Sequence, residues 1–461
     1  MPRLAEKGRG QLHEIPAARQ GDPAMRKYQQ LALTIVAVVS LVAFLFYKHE
    51  YERLRYTLEY LDTFGQAPGD GDVLRVPCGY NTHPAISSPP SDWVQVTSDL
   101  EVYSAFLEGE GIVGGQQIKV IGAVRKSTEV PADLSCLVWF DSRGEVASGS
   151  CSVQFPSDRI HGHYTEEEDV GVLYLLCSPH DKRLMLTQTP YALQLKVGTG
   201  EPSQPLLVHE AETFKSTANK TAVCVVPPEQ PVTSLHIVEF LAYHHLIGVD
   251  QFTLYGPVLT PLTRRLLDRF GDEMGLMHQE LLFTTSRGFA LSGPVVRRAV
   301  ELDCLHRHRE RHENVLVLSL EQFVVLGRRN NLQAVIIDME GVGRSRREVA
   351  EFHLSSQPVC LDQQHTRRGT LMLSQQVHTA GTAKEAGVAL LRPHLSAALA
   401  SGESTAKRQH VPPSVAVVHH YSTCSPAAAA THEDTHHLPS NKQIVARIQE
   451  SLLYRKWTIN S

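Results

Sequence analysis

The sequence contains no C-x-x-C pair and no cysteine–histidine run with zinc spacing, which excludes a zinc module. It has no excess of one charge: 44 Lys and Arg stand against 49 Asp and Glu, a formal net charge of −5. That balance, with the signs mixed along the chain, excludes the basic footprint of a nucleic-acid binder. No cysteine precedes Cys78, and no charged side chain interrupts the stretch from Tyr28 to Tyr47. What is present is a chain of 461 residues with 42% hydrophobic content, enough for two or three domains with a sizeable core. Its 24 histidines lie largely in polar stretches and need no role by themselves.

The uncharged stretch over residues 28–47 is apolar on every side. As a helix, about 20 residues rise about 30 Å, the thickness of a bilayer's hydrocarbon core. Lys48, His49 and Glu50 follow it rather than a small-residue cleavage site, so it reads as a signal anchor. Arg3, Lys7, Arg9, Arg19, Arg26 and Lys27 precede it, whereas Lys48, Arg53 and Arg55 are diluted by acidic neighbours. The positive-inside bias then makes residues 1–27 a cytosolic tail and the remainder translocated, a single-pass type II membrane protein with the lipid bilayer as a partner. The short span suits the thinner membranes of the early secretory pathway and points to the Golgi. All eight cysteines lie beyond the anchor, as expected of a disulfide-forming chain in an oxidising compartment, and their connectivity stays open. Asn219-Lys220-Thr221 is a glycosylation sequon for that topology, with Asn219 the acceptor.

Residues 48–92 read as stem and linker: Tyr51, Leu54, Leu58 and Leu61 keep helical spacing, and Gly65–Asp92 is rich in Gly, Pro, Ser and Asp. Residues 93–215 form a small β-rich domain, with strands over Gln117–Val124, Ser135–Phe140 and Val170–Cys177. Residues 216–461 alternate strand and helix. Strands are expected over Ala222–Val226, Phe252–Tyr255, Leu281–Phe283 and Asn314–Leu320, and helices over Ser234–Leu246, Pro261–Phe270 and Val295–Arg311. Repeated units of this kind imply an α/β fold with a mostly parallel sheet and flanking helices, whose ligands sit outside the carboxyl ends of the strands.

Several segments carry a resemblance. Cys224-Val-Val-Pro-Pro leads to a helix bearing Glu239, Tyr243 and His244, then Gly248 and the strand ending at Tyr255. Asp303-Cys304 and Arg307 follow, then Val315–Leu318 running into Ser319, Glu321, Gln322 and Phe323, and finally His419-His420-Tyr421. Val102-Tyr103-Ser104-Ala105-Phe106 lies upstream. In order and spacing this resembles glycosyltransferase family 92, from roughly Asp99 to Cys424. The resemblance implies a GT-A-like fold and transfer of a hexose, typically galactose, from a nucleotide-sugar donor to a glycan or glycoprotein acceptor. It also implies a divalent cation, Mn²⁺ or Mg²⁺, because the diphosphate leaving group concentrates negative charge. It places Ser319, Glu321, Gln322 and Glu239 on the nucleotide-sugar, and Glu321 with His420 on the metal. It names no catalytic base.

The sequence departs from the family at the D-x-D-E-F stretch. Ser319 stands for the first aspartate, Glu321 for the second and Gln322 for the glutamate, so two of three carboxylates are missing. A catalytically impaired relative that binds glycan or scaffolds another protein is the alternative. A receptor-like protein whose β-rich domain does the work is a third reading. The run Val335–Glu340 reads as a strand ending in solvated carboxylates, with a shifted metal site at Asp338 and Glu340 as the lesser reading, and Arg297, Arg298, Arg307, Arg309 and Arg311 read as a solvated helix face, with a basic face that meets diphosphate as the alternative. His432, His436 and His437 resemble a metal cluster by composition alone and read as a loop.

Overall fold

The computed structural model describes residues 92–108, 116–125, 130–140, 145–156, 169–210, 221–256, 258–284, 291, 293–327, 329–342, 349–361, 371–374, 377–379, 384–402, 406–423 and 439–460, with Ser40 as an isolated helical residue. The chain divides into two compact units, Met1–Tyr80 and Asn81–Ser461, and all described residues but Ser40 belong to the second.

The first sheet holds β1 (Val94–Gln95), β2 (Leu100–Glu108), β3 (Gln117–Arg125), β4 (Leu134–Phe140), β5 (Glu145–Gln154), β6 (Val170–Pro179), β7 (Pro190–Val197) and β8 (Leu206–His209), with a short helix α1 (Arg183–Thr187) before β7. The strands run in the order β1-β2-β3-β6-β5-β4-β7-β8, and a parallel pairing of β8 with β2 closes β2 through β8 into a seven-stranded barrel. Closure leaves these strands no free edge. In β4 the period is two: Leu134, Cys136, Val138 and Phe140 are buried, while Ser135, Leu137 and Trp139 are only partly covered. By contrast β2 and β3 are buried on both faces, because their outer faces meet a helix of the second sheet.

Inside the barrel Cys151 and Cys177 form a disulfide, and Cys136 is a buried free thiol whose sulfur lies within 4.8 Å of both. The even cysteine count therefore does not mean complete pairing. Burial alone pushes the Cys136 thiol up to about 12. The thiolate is the reactive form. Iodoacetamide is accordingly expected to modify Cys136 only after the barrel unfolds, as read by peptide mass spectrometry; modification of native protein would contradict its placement.

The second part comprises β9 (Thr221–Val225), α2 (Ser234–Leu246), β10 (Gln251–Tyr255), α3 (Pro261–Met274), β11 (Met277–Leu281), α4 (Gly293–His308), β12 (Asn314–Leu318), β13 (Gln322–Leu326), α5 (Leu332–Val342), β14 (Val349–Leu361), a 3-10 turn at Met372–Ser374, β15 (Val377–Thr379), β16 (Lys384–Leu391), α6 (Pro393–Ala400), β17 (Lys407–Val411), β18 (Ala416–Thr423), α7 (Pro439–Glu450) and α8 (Leu452–Asn460). The boundaries of α2 and α3 are set locally. Thr233 and Thr260 cap them through their hydroxyls, Pro261 opens α3, and Gly248 at φ 104° turns the chain out of α2.

The strand order is β11-β10-β9-β12-β16-β14-β18-β13, with β15 and β17 beside β14. The run from β11 to β12 is parallel, as expected. Beyond it β16 is antiparallel to both β12 and β14, and β13 is antiparallel to β18. Ser319, Leu320 and Glu321 alone join β12 to β13, although β16, β14 and β18 lie between them in the hydrogen-bonding order. Three residues reach about 10 Å at most, so the sheet curls. A mixed, curled sheet beside a closed barrel corrects the expected GT-A-like, mostly parallel sheet. The run read as a strand at Val335–Glu340 lies in helix α5.

Among the described residues no helix is long and apolar enough to cross a membrane. The longest, α4, has 16 residues and rises about 24 Å, with Arg297, Arg298, Glu301 and Asp303 along it. This corrects the expectation of a single-pass type II protein of the Golgi with the lipid bilayer as partner. The expected span at 28–47, Ser40 apart, lies outside the described residues, as do the tail, the stem, Asn219 and the histidines of 432–437.

Helix α4 packs between barrel and sheet, contacting β2, β3 and β6 on one side and β9 and β12 on the other. Three arginines on it or just beyond its end are paired with carboxylates. Arg307 forks onto Asp303 (2.9 and 3.0 Å), Arg298 meets Glu301 at 2.9 Å, and Arg309 reaches Glu108 at 3.4 Å. Cys304 is bonded to Cys224 of β9, which ties the helix to the sheet and removes chain entropy from the unfolded state. Cys360 is also disulfide-bonded, to a cysteine outside the described residues.

Candidate functional site

From β9 the chain turns one way to β10 and β11, and later returns on the other side with β12. The carboxyl ends of β9 and β12 lie side by side, with Leu318 opposite Val225, at a switch point of the parallel run. A crevice outside such strand ends is where open α/β sheets place ligands. Ser319, Leu320 and Glu321 turn across this edge, and Gln322 opens β13 opposite His420 of β18.

The structure thus brings Ser319, Glu321, Gln322 and His420 together. It adds His236, which the sequence did not single out, and picks Arg297 from the basic face that the sequence offered to a diphosphate. His236, one turn into α2, sets Nε2 at 3.1 Å from the carbonyl of Leu320. Arg297 of α4 donates from Nη2 to the carbonyl of Val317 at 2.7 Å and from Nη1 to Oε1 of Gln322 at 3.4 Å. The same Gln322 oxygen accepts the backbone N–H of Ser319 at 2.9 Å. The arginines of α4 are therefore not a solvated face: Arg298 and Arg307 are held by carboxylates, and Arg297 reaches the strand end.

Two charged side chains here have no opposite charge paired with them among the described residues. Glu321 is half-buried, and among the described residues its carboxylate makes no hydrogen bond or ion pair. Arg297 is half-buried, and among the described residues no carboxylate lies within 4.0 Å of its guanidinium. Burial lowers the pKa of His236, and the Glu321 carboxylate pulls it back up. His420 stands at the rim: the shielding it has lowers its pKa, Glu321 raises it and Arg297 lowers it. Both imidazoles are therefore neutral at pH 7, with one acceptor and one donor nitrogen each. Burial likewise lowers the pKa of Arg297, with the charge of Glu301 opposing.

Glu239 lies elsewhere. It sits in the buried face of α2 and accepts the backbone N–H groups of Met372 (2.7 Å) and Leu373 (2.8 Å), fixing the 3-10 turn. Burial raises its pKa to about 7 against the pull of those two donors. The folded-state value lies above the ordinary 4.5, so its contribution is full below pH 4.5 and is lost as the pH rises through 7. Glu239→Gln is expected to flatten that decline, by on the order of 3 kcal/mol across the window, in urea titrations at successive pH values. An unchanged pH slope would assign the decline to other groups.

As a site for Mn²⁺ or Mg²⁺ the residues fit poorly. Such ions take about six oxygen ligands. Glu321 offers one carboxylate, Ser319 a hydroxyl and His420 a nitrogen, while the Gln322 oxygen is already shared by two donors. The nearby guanidinium of Arg297 repels a cation. Among the described residues the clusters with three or more ligand atoms at metal-binding spacing are Cys136/Cys151/Cys177 and Cys224/Cys304/His308, and neither includes Glu321 or His420. All of those sulfurs but that of Cys136 are in disulfides. Asp338, the candidate for a shifted metal site, is bound by Arg329 at 2.7 and 3.1 Å on α5.

No protein-family model matches this chain, and no curated protein matches its sequence. Among solved structures it is similar to HddC from Yersinia pseudotuberculosis, at 7% identity and a TM-score of 0.24, covering 42% of this chain and 89% of that one. It is also similar to a Bacillus anthracis protein described as a glucose-1-phosphate thymidylyltransferase and solved with a sucrose, at 9% identity and a TM-score of 0.25 over 52% and 99% of the two chains. A third is a 4-diphosphocytidyl-2C-methyl-D-erythritol synthase, at 13% identity and a TM-score of 0.22 over 49% and 99%. Likenesses at these scores constrain neither fold nor function.

Proposed function

We propose that this chain is a glycosyltransferase that takes a hexose, typically galactose, from a nucleoside-diphosphate sugar at the carboxyl ends of β9 and β12 and passes it to a glycan hydroxyl. The observation that carries this is the uncommitted carboxylate of Glu321 at the switch point, flanked by two neutral imidazoles. The ordered resemblance to glycosyltransferase family 92 supports it. In the step we envisage, the acceptor oxygen attacks the anomeric carbon and its proton passes to Glu321. The bond from that carbon to the diphosphate oxygen breaks, and the nucleoside diphosphate leaves with the electron pair, inverting the centre. In this reading Ser319 hydrogen-bonds the ribose, and Glu239, which accepts from the backbone N–H groups of Met372 and Leu373, supports the fold rather than the donor. A second reading, binding of donor or glycan without turnover, is favoured by Glu321 being a lone carboxylate in a stretch where family 92 has three. A turnover assay of the full chain over a panel of nucleotide sugars, with Glu321→Ala as control, separates the two. Hexose transfer lost in the variant supports the enzyme; donor binding without transfer supports the second reading; transfer that survives the variant moves the active centre elsewhere.

A further inference from the structure

A nucleoside diphosphate brings charge that this site must neutralise, and the donor set is unsuited to a hard cation. The positive charge already present is Arg297. Its guanidinium has five N–H donors, of which one goes to the Val317 carbonyl and one, at 3.4 Å, to the Gln322 amide oxygen. Both acceptors are neutral. Glu301, on the same helix, is tied to Arg298, and no carboxylate of the described residues pairs with Arg297. A half-buried guanidinium without an anion costs free energy that an anionic ligand recovers. The neutrality of Gln322 matters here. A glutamate at that position, sharing the geometry of the amide, would sit against Arg297 and cancel its charge.

Resting on the reading that the site takes a nucleoside diphosphate, we propose that the guanidinium of Arg297, and not a bound divalent cation, receives the diphosphate. The remaining N–H donors suit paired phosphate oxygens, for which a planar fork is the matching shape. His420, at the rim, has one N–H for a further hydrogen bond, whereas the N–H of His236 is already given to the Leu320 carbonyl. Gln322 then acts as a positioning residue, because its oxygen orients the guanidinium and the Ser319 N–H together without neutralising either.

The test is calorimetry of the full chain with uridine diphosphate and with inorganic pyrophosphate, in EDTA and again with Mn²⁺. The variants are Arg297→Gln and Gln322→Glu, each checked for an unchanged melting profile. The expected result is binding in EDTA, weakened about tenfold or more by either variant and not restored by Mn²⁺. The two mechanisms give opposite signs for Gln322→Glu. That change adds a carboxylate, so it weakens a guanidinium site but strengthens a cation site. Because glutamate nearly matches glutamine in shape, this variant keeps the test decisive if Arg297→Gln fails to fold. Binding that requires Mn²⁺, or Mn²⁺-dependent binding tightened by Gln322→Glu, overturns the inference and leaves the nucleotide-sugar reading standing. Absence of binding for both probes in both conditions overturns the two together.

Discussion

Glu321→Gln is expected to lower turnover by on the order of 10²–10⁴-fold while changing affinity for the nucleoside diphosphate little. The substitution keeps shape and removes only the ability to take a proton. In the native protein that carboxylate has no competing donor among the described residues, so both its oxygens are open to the proton of an acceptor hydroxyl. The affinity stays because the phosphate charge is assigned to Arg297 across the crevice. The two losses are thereby separated: Glu321→Gln acts on kcat, and Arg297→Gln acts on binding. Steady-state kinetics with the best donor of the panel, alongside calorimetry with uridine diphosphate, reads both. Glutamine supporting near-native turnover would place the base elsewhere.

Asp303→Ala is expected to destabilise the fold by about 3–5 kcal/mol, because it leaves the Arg307 charge buried and unpaired. Arg307 is only 11% exposed and forks onto Asp303 with both oxygens engaged. Tyr255 also donates its hydroxyl to this carboxylate, so the change strands a second buried group. Arg307 further lies over the ring of Phe106 in the barrel, which makes this network a joint between the two sheets. Replacing both members, as Asp303→Ala with Arg307→Met, is expected to regain much of the loss by removing the charge itself. Burial pushes the Asp303 pKa up, yet the charge and hydrogen bonds of Arg307 win and hold it below the ordinary carboxyl range. The pair therefore contributes above that range, and its contribution disappears as the pH falls through the folded-state value. Urea unfolding at neutral and acid pH measures both effects. A loss below about 1 kcal/mol at neutral pH would mean that water or another residue satisfies Arg307.

Helix α2 was legible to the residue, Ser234 to Leu246, because its signals are local: a threonine cap, a repeating apolar side and a glycine where the chain must turn. The apolar strands at β9, β10 and β12 were legible for the same reason. Residues 335–340 misled because an apolar run has no periodicity to tell a strand from a buried helix. At the site, Glu321 and His420 were visible through motif order, and the structure puts them at one strand edge. His236 carried no signal, since a histidine one turn past a helix cap is unremarkable in sequence. The basic face from Arg297 to Arg311 was visible as a candidate diphosphate contact, but not which arginine would serve; among the described residues, its lack of a carboxylate partner sets Arg297 apart from Arg298, Arg307 and Arg309.

By itself the sequence determined what nearest neighbours along the chain decide: which segments are helix or strand, where they are capped, and which residue types are on offer for chemistry. Tertiary structure alone decided barrel closure, the mixed half of the second sheet, the unpaired thiol of Cys136 and, among the described residues, the lack of a carboxylate paired with Arg297. Each of these depends on contacts between residues far apart in the chain. Strand pairing and charge compensation are energies between spatial neighbours, and periodicity and caps carry no record of which distant partner wins.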